Sequence, residues 1–523
     1  MRYLLFAIFF LTAGCQQSGN SSKNMFRISI EAEPTTLDPR KARDLNTVTI
    51  CRMLYEGLTR ISKEGTIEFA VAKGVDVLEG GLKYVFHLKK TIWSNGSPLT
   101  SADFASSWKE ILDPKFPSDV AYQLYVIKNA KKVKCGEMGM EKVGIETPDP
   151  FTLVVELEQP TPYFLELCSL SSWLPVPQKT AKDNPDWALE PLTFVGNGPF
   201  TLKNWHRGDS IQVTKNERYW EANRVQLAGV DIAIMLPNTE LRMFEEGKLD
   251  WAGSPLSTIP ADALPHYKED RSLNISPFSG TCFLRVNTMP IVQGKANPLC
   301  NPNLRRALSL AINRQQIVEH LLQGGQRPAM CLVPKEMGLS EEGFFEDGAS
   351  DKARVLLSSC TVNEPMTIVF APSQRNMTVA QAIQKQWESA LGLKVELKPL
   401  EYKVFLQTMK EKAYQLAIGT WTADFNDPIN FLEVFKYSSA STNNTSWENP
   451  KYIDLLDRSA VCRNQDERRE LLRKAEELLM DEMPILPIFH FSMNYLQGDG
   501  VQDVALSPIG LIDFRWAHLD KIR

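Results

Sequence analysis

The sequence predicts a mixed α/β protein built in several layers. Three observations lead to this. Short runs alternate apolar and polar side chains, as half-buried strands do. Longer runs repeat their apolar residues at helical spacing, between capping and stop signals. One stretch sets strand, helix and strand in succession, the parts of a βαβ unit. At 523 residues the chain is long enough for two to four domains.

The elements follow in order. In "KYVFHLKK" (83–90), Tyr84, Phe86 and Leu88 fall on one face of a strand. In "SPLTSADFASSWKEIL" (97–112), Thr100 is placed to cap a helix with Asp103 three residues on. Phe104, Trp108, Ile111 and Leu112 form its apolar stripe. "FTLVVELE" (151–158) and "DSIQVTKN" (209–216) read as further strands. "NPNLRRALSLAINRQQIVEHLLQGG" (301–325) reads as one helix. Asn301 caps it, Pro302 sits in its first turn, and Gly324 and Gly325 stop it. Residues 366–400 supply the βαβ pattern, with Gly392 closing the helix. "DERRELLRKAEELLMDEMP" (466–484) is an amphipathic helix stopped by Pro484. Pro/Gly-rich stretches at 175–199 and 277–302 are the natural crossings between domains.

Composition narrows the function. Hydrophobic residues make up 43% and charged residues 23%, which is globular and not disordered. The net charge is −5, and the densest basic run, "KNAKKVK" (128–134), reads as a solvated face. Neither suggests nucleic acid. The first residues, "MRYLLFAIFFLTAGC", carry one positive charge and an apolar run too short to span a bilayer. They read as a signal peptide over 1–14. Cys15 follows two small residues, as in a bacterial lipobox, although Thr12 stands where Leu is most common. Residues 15–25 then form a polar tether, lipidated at Cys15. No later segment reaches roughly 18 consecutive apolar residues. A soluble, exported body held at a membrane surface is therefore expected. The eight remaining cysteines lack C-x-x-C spacing and read as small buried hydrophobes.

No enzyme signature is present. The six histidines are scattered, and there is no H-E-x-x-H, P-loop or G-x-S-x-G. "GNGPF" (196–200) has Thr201 where a third glycine would fall, and "DFND" (424–427) lacks EF-hand spacing. No cofactor or metal is expected. The informative stretch is "YQLAIGTWTADFNDP" (414–428), where Asp424 follows a strand-like run. Such an acid caps a turn or meets a cationic ligand. Tyr402, Trp421, Trp447, Phe489 and Phe491 flank it or the late strand "PILPIFHFS", and could line a cavity.

Several blocks, in order, resemble the large solute-binding lipoproteins of peptide importers, the oligopeptide- and dipeptide-binding family. They are "EPTTLDP" (33–39), "MLYEGL" (53–58), "YVFHLKKTIWSNGSPLTSADFASSW" (84–108), "GNGPFTLKNW" (196–205), "NERYW" (216–220), "MFEEGKLD" (243–250) and "NPNLRRALSLAINR" (301–314). The resemblance implies a two-lobed periplasmic-binding-protein-like fold of type II, in its large cluster C form, with an inserted domain. Lobe I would comprise 26–55, 181–280 and 493–523, the insertion 56–180, and lobe II 281–492. It also implies a monomer that performs no covalent chemistry, captures short peptides outside the cytoplasmic membrane and delivers them to a permease with two transmembrane and two ATPase subunits. Asp424, after Trp421, would pair with the ligand's α-ammonium. Gly419, Thr420, Trp421 and Thr422 would offer backbone groups, with the loop around Leu45 on the other side. Tyr402 and Phe491 would line the site. The positions where relatives carry carboxylate-binding cations hold Ile418, Met409, Ser309 and Asn376 here. Arg285, Arg375 and Lys410 lie near in sequence and read as surface charges that could substitute. This departure leaves a murein-derived peptide, or a metal chelate, haem or sugar, as alternative ligands.

Overall fold

The computed structural model describes residues 24–340 and 343–520. The expected leader, Cys15 and most of the tether lie outside them. The alternating strands assemble into two four-stranded sheets. In the first, Met25–Ile30 pairs parallel with Gly229–Ile234, followed antiparallel by Ser210–Lys215 and Phe200–His206. Phe26, Ile28 and Ile30 turn inward against Val230 and Ile232, as the period-two spacing requires. Helix α1 (Leu45–Leu54) packs on this core; Asp44 caps it by accepting from the Thr47 N–H at 2.9 Å.

The second sheet orders Ala72–Leu78, Lys83–Leu88, Thr152–Glu156 and Ile145–Asp149. Helix α2 (Ser101–Leu112) lies against it, its capping box formed by Thr100 and Asp103 as expected. Phe104, Trp108, Ile111 and Leu112 are fully buried.

The large sheet contains β1 (Trp251–Gly253), β2 (Asn274–Val286), β3 (Met366–Phe370), β4 (Val395–Pro399), β5 (Leu416–Thr422) and β6 (Ile485–Gln497), in the spatial order β1-β6-β2-β5-β3-β4. The boundaries expected near residues 280 and 492 fall inside β2 and β6. These two 13-residue strands pair with each other. Their register shifts between Pro277 and Thr281. Continuous strands, and not loops, therefore pass those two boundaries.

The expected single helix over 301–325 is broken. Helix α3 covers Pro302–Leu310, and the chain restarts as Arg314–Gln316 and a π-helical turn over Ile317–Leu322. Asn313 recaps the second piece, accepting from the Gln316 N–H at 2.9 Å. Arg314 is fully buried and donates to the Ser309, Ile312 and Pro487 carbonyls. It satisfies the ends that the break exposes. The βαβ unit forms as expected: β3 and β4 pair parallel around helix α4 (Gln374–Leu391), which Gly392 ends at φ +68°. Helix α5 (Tyr402–Lys410) follows.

The last long helix, α6 (Gln465–Glu482), buries Leu472, Ala475, Glu476 and Leu479. Glu476 accepts the N–H groups of Leu332 and Val333 at 2.8 and 2.7 Å. Burial nonetheless pushes its carboxyl up from 4.5 to about 7. A raised carboxyl pKa contributes stability below the unfolded value that is lost as pH rises through the folded one. Glu476→Gln should therefore flatten the dependence of the urea midpoint on pH between about 4.5 and 7. An unchanged slope would contradict this.

Candidate functional site

Strand β5 is paired unevenly. Its whole length, Leu416 to Thr422, is matched antiparallel by β2. On the other side only Leu416 and Ala417 pair with β3, through Ile368 and Val369. Among the described residues no strand lies along that edge from Ile418 onward. An unmatched edge presents N–H and C=O groups that a peptide main chain can complete.

At the end of β5 the chain turns out of the sheet. The Ala423 N–H donates to the Ser279 carbonyl at 2.8 Å. Asn430 Oδ1 accepts from both the Asp424 N–H (3.3 Å) and the Trp421 indole (3.0 Å). Asn430 thus holds the backbone beside the Asp424 carboxylate. Tyr122 Oη donates to that carboxylate at 3.2 Å. Among the described residues no Lys, Arg or His forms an ion pair with Asp424. Burial pushes its carboxyl above the usual range, partly offset by Tyr122 and Asn430. A half-buried acid without a cation suits an incoming ammonium.

Two cavities meet at this acid. One, of about 470 Å³, is lined by Leu45, Val48, Ser171, Phe278, Thr422 and Asp424, among others. The other, of about 580 Å³, is lined by Tyr122, Tyr163, Trp421, Asp424, Phe425 and Thr442, among others. Both volumes suit a small ligand. Tyr163 and Phe425 stack face to face at 4.7 Å and 10° beside the second. Gly510 permits the tight wall near the first. Its φ is +78°, and a Cβ there would stand 2.7 Å from the Phe278 ring.

The expected residues divide. Asp424, Trp421, Thr422 and Leu45 line the cavities, and Gly419 and Thr420 lie on the open stretch of β5. Leu45 is the first residue of α1 and not part of an extended loop. Phe491 is half-buried against Phe489 and Phe278. Tyr402, at the start of α5, is 61% exposed and lines neither cavity. Cys15 is outside the described residues. Tyr122, Gln123, Tyr163 and Phe278 were not anticipated; no local motif marks them, because only tertiary placement brings them to Asp424.

The four positions without cations are otherwise engaged. Ile418 and Met409 are buried, Ser309 Oγ accepts from Arg314, and Asn376 donates to the Ala371 carbonyl. Arg375 and Lys410 are exposed, as surface charges should be. Arg285 is not a free surface charge: it is half-buried, and its guanidinium lies over Gly419.

The sequence description "Bacterial extracellular solute-binding proteins, family 5 Middle" matches residues 66–443, more than half of the chain. The oligopeptide-binding protein OppA of Bacillus subtilis (strain 168) is 36% identical over 514 residues, covering 95% of this chain and 93% of that protein. The unliganded open form of MppA, a periplasmic murein tripeptide-binding protein, superposes with a TM-score of 0.83. The two are 25% identical over 95% of this chain and 98% of that one. Listeria monocytogenes OppA bound to peptide gives 0.74, at 26% identity over 96% of this chain and 100% of that one. With the open β5 edge and the unpaired acid beside it, these likenesses assign the fold: the chain belongs to the bacterial extracellular solute-binding proteins of family 5.

Proposed function

We propose that this protein captures short peptides by closing two lobes around them and delivers them to a membrane permease of the ABC importer class. One observation carries the reading. Asp424 is a half-buried carboxylate with no cation partner among the described residues, at the end of a strand whose outer edge is open. The peptide's α-ammonium pairs with Asp424. Its main chain extends β5 from Ile418 onward, so affinity comes from groups that every peptide shares. The register shift in β2 sits where the lobes would hinge and absorbs closure. The likeness to an unliganded open form supports an open resting state. Cys15, once acylated, anchors the protein as a monomer at the membrane, in the periplasm or at the cell surface; no helix among the described residues is long and apolar enough to cross a membrane.

A ligand that binds only the folded closed form stabilises it by about 2.7 kcal/mol at a hundred times its dissociation constant. Tri- to pentapeptides should therefore raise the melting temperature of the mature protein by several degrees, read by scanning calorimetry. No shift with any peptide pool would contradict the reading. Recovery of the same peptides intact by mass spectrometry is expected for a binder, and cleavage is not.

A murein-derived peptide is the second reading. The superposition on the unliganded murein tripeptide-binding protein supports it, and such a ligand keeps a free amine for Asp424. Competition between murein tripeptide and trialanine separates the two.

A further inference from the structure

The molecule holds an unpaired cation as well as an unpaired anion. Arg285 lies on β2, where it pairs in register with Ala417 of β5. Facing pairs of an antiparallel ladder share one side of the sheet. Arg285, Phe283 and Thr281 are therefore on the same side as Ala417, Gly419 and Trp421. The Arg285 guanidinium reaches along this side to Gly419: a Cβ there would stand 2.0 Å from its Nη1. Only glycine leaves room for it. The ring of Phe283 lies 5.2 Å from its Cζ. Its Nε is buried with no hydrogen-bond partner, and among the described residues no carboxylate pairs with any of its nitrogens. Other arginines of the interior are satisfied: Arg515 by Glu56 and Asp513, Arg468 by Asp427, Arg40 by Asp38, and Arg305 by the Glu482, Leu299 and Cys300 carbonyls.

A half-buried guanidinium without a counter-ion is costly unless something else meets it. Gly419 belongs to the stretch of β5 whose outer edge is open. From Asp424 back to Gly419 is five residues: two in the turn out of the sheet, then three strand steps from Thr422 that cover roughly 10 Å. We propose that Arg285 is the anion-receiving group beside the open edge of β5, taking a carboxylate that the ligand carries a few residues from its amine. This inference rests on the peptide reading above and narrows it: the preferred ligand is an extended chain with an amine at Asp424 and an acid near Gly419. The acid is either the chain terminus of a short peptide or an acidic side chain. Arg285 occupies none of the four positions where relatives place their cations, so it is a separate solution to the same charge problem.

Calorimetric titration of the full mature protein tests this with four probes. Trialanine against its C-terminal amide reads the terminal acid. Ala-Glu-Ala-amide against Ala-Gln-Ala-amide reads the side-chain acid. Wild type should prefer the acid in at least one pair by about 10- to 100-fold, the range of a charge-assisted hydrogen bond. Arg285→Met should abolish that preference, keep the affinity for the neutral probe, and melt higher without ligand because an unpaired charge is gone. Arg285→Lys should retain part of the preference, and serves if the Met variant does not fold. An unchanged preference in Arg285→Met, or none in wild type, overturns the assignment and leaves the peptide reading standing. Failure of all four probes to bind wild type overturns both.

Discussion

Asp424→Ala is expected to lose about 30- to 5,000-fold in peptide affinity while remaining folded. The range follows from truncating one partner of a buried, hydrogen-bonded charge pair, which costs about 2–5 kcal/mol. The variant folds because the turn does not depend on the carboxylate's own bonds, which go to Tyr122 and Asn430. Asn430 anchors this turn through the Asp424 N–H and the Trp421 indole, and neither bond involves the Asp424 side chain. Tyr122 Oη is the group that loses a partner, and Tyr122 is 52% exposed, so water replaces it. Asp424→Asn is the sharper probe. It keeps the shape, removes the charge, and should lose affinity mainly for peptides with a free amine, with N-acetylated peptides binding weakly to both forms. Because burial raises the Asp424 carboxyl pKa, peptide affinity should also fall as the solution is acidified and the empty site protonates. Wild-type affinity in Asp424→Ala, measured by titration calorimetry, would remove this acid from the site.

The second large effect is on stability. Glu56→Gln should destabilise the protein by about 3 kcal/mol, the low end for breaking a buried ion pair by removing one member. Glu56 is almost fully buried, and its carboxylate accepts from Arg515 Nη1 at 2.7 and 2.9 Å, from Arg60 Nη1 at 3.3 Å and from the Tyr219 hydroxyl. It therefore ties together residues from three distant parts of the chain, just after α1, near residue 219 and near the end of the described chain. The cost stays at the low end because Arg515 keeps Asp513 and Arg60 keeps Glu221. These guanidinium groups hold the Glu56 carboxyl down at about 2, against an ordinary 4.5. A depressed carboxyl contributes stability above its unfolded value, lost as pH falls through the folded one. Wild type should thus lose stability between about pH 4.5 and 2, and Glu56→Gln should lose less over that window. Peptide affinity should be unaffected where the variant is folded. A urea midpoint equal to that of wild type at pH 7 would contradict this account.

Local rules made part of the fold legible. The capping box of Thr100 and Asp103, the alternation in residues 83–88 and the βαβ unit over 366–399 depend on neighbours a few residues apart. The break in the helix after Leu310 does not: it needs Arg314 to reach the Pro487 carbonyl, 173 positions away. The same division runs through the site. Asp424 and the strand before it stood out because acid, turn and β-prone run are contiguous. Tyr122 and Tyr163 were invisible because nothing near them in sequence distinguishes them from core aromatics. Arg285 read as surface charge because a lone arginine usually is one. Its half-buried position follows from Gly419, two residues beyond its ladder partner Ala417 on the neighbouring strand, a placement that only the sheet register reveals. Tyr402 shows the opposite error. Its place in sequence suggested the cleft, but the first turn of α5 holds it largely in solvent.

A crystal structure of the mature protein with a bound tripeptide tests the central claim most directly. The expected result is an α-amine within about 3 Å of an Asp424 oxygen and ladder hydrogen bonds from the peptide main chain to the edge of β5 between Ile418 and Thr422. A ligand bound with Asp424 still facing only Tyr122, and with that edge still unpaired, would contradict it.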